Sequence, residues 1–207
     1  MKRALVALSF IAACAEPMIP VRQAAYGFDD GFGDVFHWTD ERLPVRFFAD
    51  SRGAMRALVT RGIGIWEDQF LYGEFRGALV TDSSSADVVV AWVGAVPADV
   101  PPDAGPPVNA CTGVTRLVIN SMTNGLDSAI VITVQRLAGP ATDAQVAACV
   151  RRVVTHELGH SLGLLQHSPV AGDLMASQPI VDSPTGRDRE TAEVLYHTLP
   201  TIGPPPR

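Results

Sequence analysis

The run His156-Glu157-Leu158-Gly159-His160-Ser161-Leu162-Gly163 constrains this chain more than any other stretch. It has the form H-E-x-x-H-x-x-G. Residues four apart stand one above the other on a helix face. His156 and His160 can therefore present both imidazoles to one point in space. Gly163 falls three residues after His160, where a helix stops and the chain turns through the left-handed conformation that glycine adopts without strain.

Two imidazoles on one face are a ready-made half of a metal site. Zinc takes nitrogen ligands at about 2.0–2.1 Å, and a catalytic site uses three protein ligands plus water. Glu157 adjoins the first ligand and can reach that water as a general base without binding the metal. His167 supplies a third imidazole just beyond Gly163, and Asp173-Leu174-Met175-Ala176 follows one short loop later. Gln166 and Asp173 are competing donors for the third position. Imidazole suits zinc far better than a neutral amide, which favours His167.

These residues together resemble the metzincin metalloproteases, whose pattern is H-E-x-x-H-x-x-G-x-x-H plus a methionine-containing turn. The text His-Glu-Leu-Gly-His-Ser-Leu-Gly-Leu is most similar to the matrixin branch. In that pattern the third histidine falls where this chain has Gln166, so His167 comes one residue late. A one-residue insertion in Leu164-Leu165-Gln166 accounts for the shift, since a loop absorbs an extra residue. A rival zinc-peptidase class takes a glutamate from a later helix, for which Glu190 and Glu193 qualify by type. Gly163, His167 and Met175 have no counterpart there.

The resemblance implies an α+β fold: a twisted, mixed five-stranded sheet, two long helices and a C-terminal helix after the Met-turn. It implies a zinc-dependent endopeptidase with His156, His160 and His167 on one catalytic zinc ion. Glu157 would be the general base and Met175 would pack beneath the ligands. Substrate would lie along the edge strand before the zinc helix, here Thr115–Met122, by strand addition. Residues 176–185 would wall the specificity pocket, where Ile180 and Val181 suggest an apolar lining. Some relatives use a tyrosine two residues after the methionine as an extra ligand; Ser177 stands there. Between Cys14 and Phe36 there is neither room nor a second cysteine for a cysteine-bearing latency segment. The alternative function is a lipid-anchored, non-catalytic domain that binds zinc or a partner. The displaced His167 is its support, and the retained Glu157 speaks against it.

The chain opens as an address. Met1-Lys2-Arg3 is basic, and residues 4–13 are apolar but far short of the roughly 20 that span a membrane. Residues 1–13 read as a secretory leader. Ile11-Ala12-Ala13-Cys14 resembles a bacterial lipobox, which implies acylation of Cys14 and tethering to a membrane. Export to the cell envelope, or secretion if Cys14 stays unmodified, is the expected destination. Setting Cys14 aside leaves Cys111 and Cys149, an even pair that can form a disulfide outside the cytosol. Cys149 lies two helical turns before His156, too far to share its metal.

At 207 residues the chain is expected to hold one domain. Its formal charge is −6, and loss of Lys2 and Arg3 makes the exported form −8. Such acidity argues against nucleic acid as a partner. The expected partner is a protein or peptide substrate, and the expected state is a monomer. Calcium has no supporting motif: Asp29, Asp30 and Asp34 match no calcium loop and read as turn residues.

Residues 14–35 read as a linker, 36–199 as the domain and 200–207 as a disordered tail. Val45–Phe48, Phe75–Val80, Ala86–Val93, Thr115–Met122 and Ser128–Val134 read as strands. Val88-Val89-Val90 suggests burial on both faces. Asp50 can cap a helix reaching Tyr72, with Trp66 in the core. Gly94–Pro107 is proline-rich and reads as a loop. Thr142 and Gln145 form a capping box opening the helix to Gly163. On that helix Arg151 and Arg152 read as the solvated side. A last helix starts near Ser183–Thr185. His37 and His197 are too few for a second zinc site.

Overall fold

The computed structural model describes residues 22–94 and 109–206. The expected leader, Cys14 and nearly all of the proline-rich loop lie outside them. Among the described residues the architecture is α+β, with a five-stranded mixed sheet and three helices.

The strands are β1 (Val45–Ala49), β2 (Gly77–Val80), β3 (Val88–Val93), β4 (Cys111–Arg116) and β7 (Ile130–Arg136). Their spatial order is β2-β1-β3-β7-β4. All neighbours run parallel except β4, which lies antiparallel to β7 at the edge. A small hairpin, β5 (Ile119–Asn120) and β6 (Gly125–Leu126), follows β4. Alternation builds the core face: Val45, Phe47 and Ala49 on β1, Val88, Val90 and Trp92 on β3, and Ile130, Ile132 and Val134 on β7 are all buried. Val89 is only partly covered, so β3 is not buried equally on both faces as its unbroken valines suggest.

Helices α1 (Met55–Glu67) and α2 (Asp143–Ser161) pack on each other, α2 against β4 and β7, and α1 against β1 and β2. Helix α1 starts later than expected because Gly53 takes a left-handed φ of 52° and the Asp50 side chain pairs with Arg52. It ends before Phe70, which folds back onto Phe75 and Tyr196. Thr142 and Gln145 do form the reciprocal capping box at the start of α2. Helix α3 (Gly186–Tyr196) begins in the same way, from Thr185 and Asp188.

Three expectations are corrected. The edge strand is Cys111–Arg116, not Thr115–Met122; the turn at residues 121–124 instead joins β5 to β6, with Asn124 at φ 49°. Residues 22–35 are not a linker: Tyr26 and Val35 are buried, and the Tyr26 hydroxyl donates to Asp188 at 2.7 Å. Residues 200–206 are not a loose tail, because Ile202 is buried and its N–H, like that of Thr201, donates to the Val35 carbonyl. In both cases the partner lies over 160 residues away in sequence, beyond the reach of local patterning.

Cys111 and Cys149 are joined by a disulfide, with Cα atoms 5.9 Å apart. The bond ties the start of β4 to the middle of α2 and closes a loop of sequence separation 38. Constraining the unfolded chain in this way stabilises by about 2–4 kcal/mol. Urea denaturation of the Cys111→Ala, Cys149→Ala double variant should show a loss of that size. A loss under about 1 kcal/mol would mean that β4 needs no covalent tie.

Candidate metal centre

Helix α2 carries His156 and His160 one turn apart, and Gly163 ends the helix region at φ 110°. The chain then reverses and returns His167 to the same point. Nε2 of His160 lies 3.1 Å from Nε2 of His156 and 3.3 Å from Nε2 of His167. The three histidines form a group that can hold a metal ion, with their ligand atoms all within 4.8 Å of one another.

Hydrogen bonding fixes how two of the rings face. Nδ1 of His156 lies 2.7 Å from the Leu174 carbonyl, and Nδ1 of His160 lies 2.5 Å from the Leu164 carbonyl. A carbonyl only accepts, so each Nδ1 carries the proton and each Nε2 presents a lone pair. Burial pushes His156 down to about 4. Burial and the neighbouring imidazole push His160 down to about 3. Both rings are therefore neutral at pH 7. Lone pairs this close repel unless a cation lies between them, and backbone carbonyls on the far nitrogens are the usual support for metal-binding histidines. The donor set fits a bound metal ion.

Gln166, the competing donor, turns away from the cluster. The Gln166 side chain points to the N-terminal segment, where its amide donates to Asp29 at 2.9 Å, and the Leu165 N–H donates to the Phe28 carbonyl. Gln166 is thereby held off the histidine cluster while His167 enters it. Asp173 is likewise elsewhere, bound by Ser168, Thr185 and Arg187. Glu193 on α3 pairs with Arg22 and Arg189 and, like Glu190, is not in the cluster. His167→Ala is expected to lower metal affinity more than about 100-fold, beyond the range seen for supporting residues, while Gln166→Ala leaves it within about threefold. Competition titration against a chromogenic chelator reads both. Similar losses in the two variants would put Gln166 in the metal's environment after all.

Glu157 is buried beside the cluster. Its Oε2 accepts from the Thr115 hydroxyl at 2.6 Å, and the same hydroxyl reaches the Glu157 carbonyl at 3.1 Å. Burial pushes the carboxyl up to about 7, against the opposing effect of the Thr115 hydrogen bonds. Cys111, Gly113 and Thr115 alternate onto the α2 side of β4. A Cβ at Gly113 would lie 2.5 Å from Glu157 Cγ, so the strand can approach this closely only as glycine. The disulfide at one end and the Thr115 bonds at the other set the spacing between β4 and α2.

Met175 is fully buried against α2, where its Sδ would stand 2.5 Å from a Cβ on Gly159. Asp188 anchors this turn: it accepts from the backbone N–H groups of Leu174 and Met175 and from Tyr26. Since Leu174 supports His156, α3 is coupled to the cluster through the turn. Thr115 and Asp188 escaped the sequence reading. Thr185 and Asp188 do match a capping-box spacing, which was the available signal; nothing local marks Thr115.

Two clefts flank the cluster along β4. One, of about 310 Å³, is lined by Val114, Leu117, Leu165 and His167. The other, of about 280 Å³, is lined by Thr112, Arg152, His156, Glu157 and residues 177–179. Arg152 is buried rather than solvated, as is Arg151; both donate to Asp182. The apolar lining expected from Ile180 and Val181 is not found: Ile180 is 58% exposed, and neither residue lines this cleft. No protein-family model and no curated protein matches this chain.

Proposed function

We propose that the chain is a zinc-dependent endopeptidase of metzincin-like type. The observation that carries this is the convergence of three imidazole nitrogens next to a buried carboxylate that is outside the ligand set. Three imidazole nitrogen donors suit zinc. A bound zinc ion supplies positive charge that acidifies water and polarises a carbonyl oxygen.

The chain's own residues do the rest. Glu157 accepts the proton of the attacking water and passes it to the departing amine, so the carboxylate is regenerated. Thr115 holds that carboxylate in place through its 2.6 Å hydrogen bond. The edge of β4 that no described residue pairs offers backbone N–H and C=O groups to an extended peptide, which would lie across the cluster with side chains entering the flanking clefts. The proposal includes export and tethering through Cys14, with protein or peptide as the substrate.

The test is hydrolysis of a quenched peptide pool by the full chain. Activity should fall to background with a chelator and return with about one equivalent of zinc. Chelator-insensitive hydrolysis, or none by protein carrying one zinc, counts against the proposal; the second result favours a non-catalytic zinc-binding domain.

A further inference from the structure

The 280 Å³ cleft has an unusual lining for a site that would take an apolar side chain. Arg152 lies four residues before His156, hence one turn along the same face of α2. Its walls are β4 and residues 177–179, with Asn109, Thr112, Ser177 and Gln178 contributing polar groups. The Arg152 side chain is only 6% exposed.

A buried guanidinium requires partners, and this one is weakly provided for. Nε donates to Asp182 at 3.3 Å and Nη1 to the Pro179 carbonyl at 3.3 Å. Both lie beyond the usual 2.7–3.2 Å for N–H···O bonds. Asp182 is divided between two arginines, since its other oxygen accepts from Arg151. Nη2 of Arg152 makes no hydrogen bond to any described residue. Among the described residues Glu157 is the one acid lining this cleft, and its Oε2 is bound by Thr115. Arg152 thus keeps unused donors in a fork geometry that matches a carboxylate.

Resting on the endopeptidase reading, we infer that this cleft receives a carboxylate of the peptide, and that Arg152 is the specificity-determining residue. The carboxylate sits beside the hydrolysed bond, on an aspartate or glutamate side chain or at a peptide C-terminus. Arg152 binds it through Nη2 and Nη1, with Gln178 and Ser177 available at the wall. An aliphatic side chain in the same place would bury against a guanidinium and offer it no acceptor.

The test uses binding, so it does not depend on turnover. Zinc-loaded full chain is titrated with short peptide hydroxamates that differ only in the residue offered to the cleft. These are amidated glutamate, glutamine and leucine, and leucine with a free C-terminal carboxylate. A carboxylate should bind at least about tenfold tighter than leucine amide, the scale of one charge-assisted hydrogen bond. A gain for glutamate assigns the side chain, and a gain for the free acid assigns the C-terminus. Arg152→Met should erase the gain and Arg152→Lys keep part of it. Should Arg152→Met fail to fold, Asp182→Asn carries the test, because freeing the guanidinium should raise the carboxylate preference. Leucine binding as tightly as glutamate and as its own free acid overturns the inference. So does a preference that survives Arg152→Met, or no binding of any probe. Tight acidic probes without cleavage of any peptide would sink the endopeptidase reading alone. Cleavage with aliphatic residues in this cleft would sink the cleft inference alone.

Discussion

Glu157→Gln is expected to leave one metal ion bound and to lower peptide hydrolysis by about 10²- to 10⁴-fold, the range for losing a general base. The substitution isolates that role. Glutamine has the same length, and its amide oxygen can still accept the Thr115 hydroxyl that Oε2 accepts at 2.6 Å. What it cannot do is take a proton from water. The fold should not suffer. In the metal-free protein, burial raises the Glu157 carboxyl from 4.5 to about 7. A carboxyl raised on folding opposes folding as pH climbs from its unfolded to its folded value, and that cost is fully present above pH 7. A neutral amide removes it, so the variant should be at least as stable as the parent at pH 8. The metal should stay because the group that can hold it is the three histidines, without Glu157. Zinc content, denaturation and kcat/KM on one preparation decide the matter. Activity within about threefold of the parent would remove Glu157 from the chemistry, and loss of zinc would make it a ligand.

How much of this was legible follows from which contacts are local. The histidine pair, the Thr142 capping box and the left-handed Gly163 are all set within one or two helical turns, and each stands where its spacing places it. The group of His156, His160 and His167 was legible despite the shifted spacing, because chemistry chose imidazole over amide. What keeps Gln166 out of the cluster was not legible. Gln166 is held by Asp29, 137 residues away. The edge strand failed for a different reason. β4 turns Cys111, Gly113 and Thr115 toward α2, while Val114 is 59% exposed. An edge strand packed through small and polar residues carries no apolar alternation, so the apolar residues 117–119 drew the expected strand downstream. Arg151 and Arg152 misled because charge implies solvent unless a partner is known, and Asp182 lies 30 residues on. The same blindness hid the N-terminal segment, whose glycines and aspartates read as loose chain although Tyr26 docks on Asp188.

Gly163→Ala is expected to destabilise the fold by about 2–6 kcal/mol, among the largest effects of any single methyl group here. Two costs add. At φ 110° an L-residue is strained, at about 1–3 kcal/mol. The new Cβ would also stand 1.8 Å from the Phe36 carbonyl oxygen and 3.3 Å from Leu195 Cδ2. The first of these is backbone and cannot rotate away, so the N-terminal segment must shift, an overpacking cost of about 1–3 kcal/mol. The damage should reach the metal centre. Leu164 follows directly: its N–H donates to the Gly159 carbonyl, and its own carbonyl holds Nδ1 of His160 at 2.5 Å. Moving residue 163 loosens that support, and loss of such a partner weakens metal binding about 10- to 100-fold. Gly139→Ala is the control, because a Cβ there meets nothing within 4 Å. It should stay within about 0.5 kcal/mol of the parent. Denaturation in chelator gives the folding cost, and titration with zinc gives the coupling. Should Gly163→Ala lose stability yet bind zinc as the parent does, the turn at residue 163 shapes the fold but not the ligands. Should it lose neither, the docking of Phe36 against the end of α2 is looser than its geometry states.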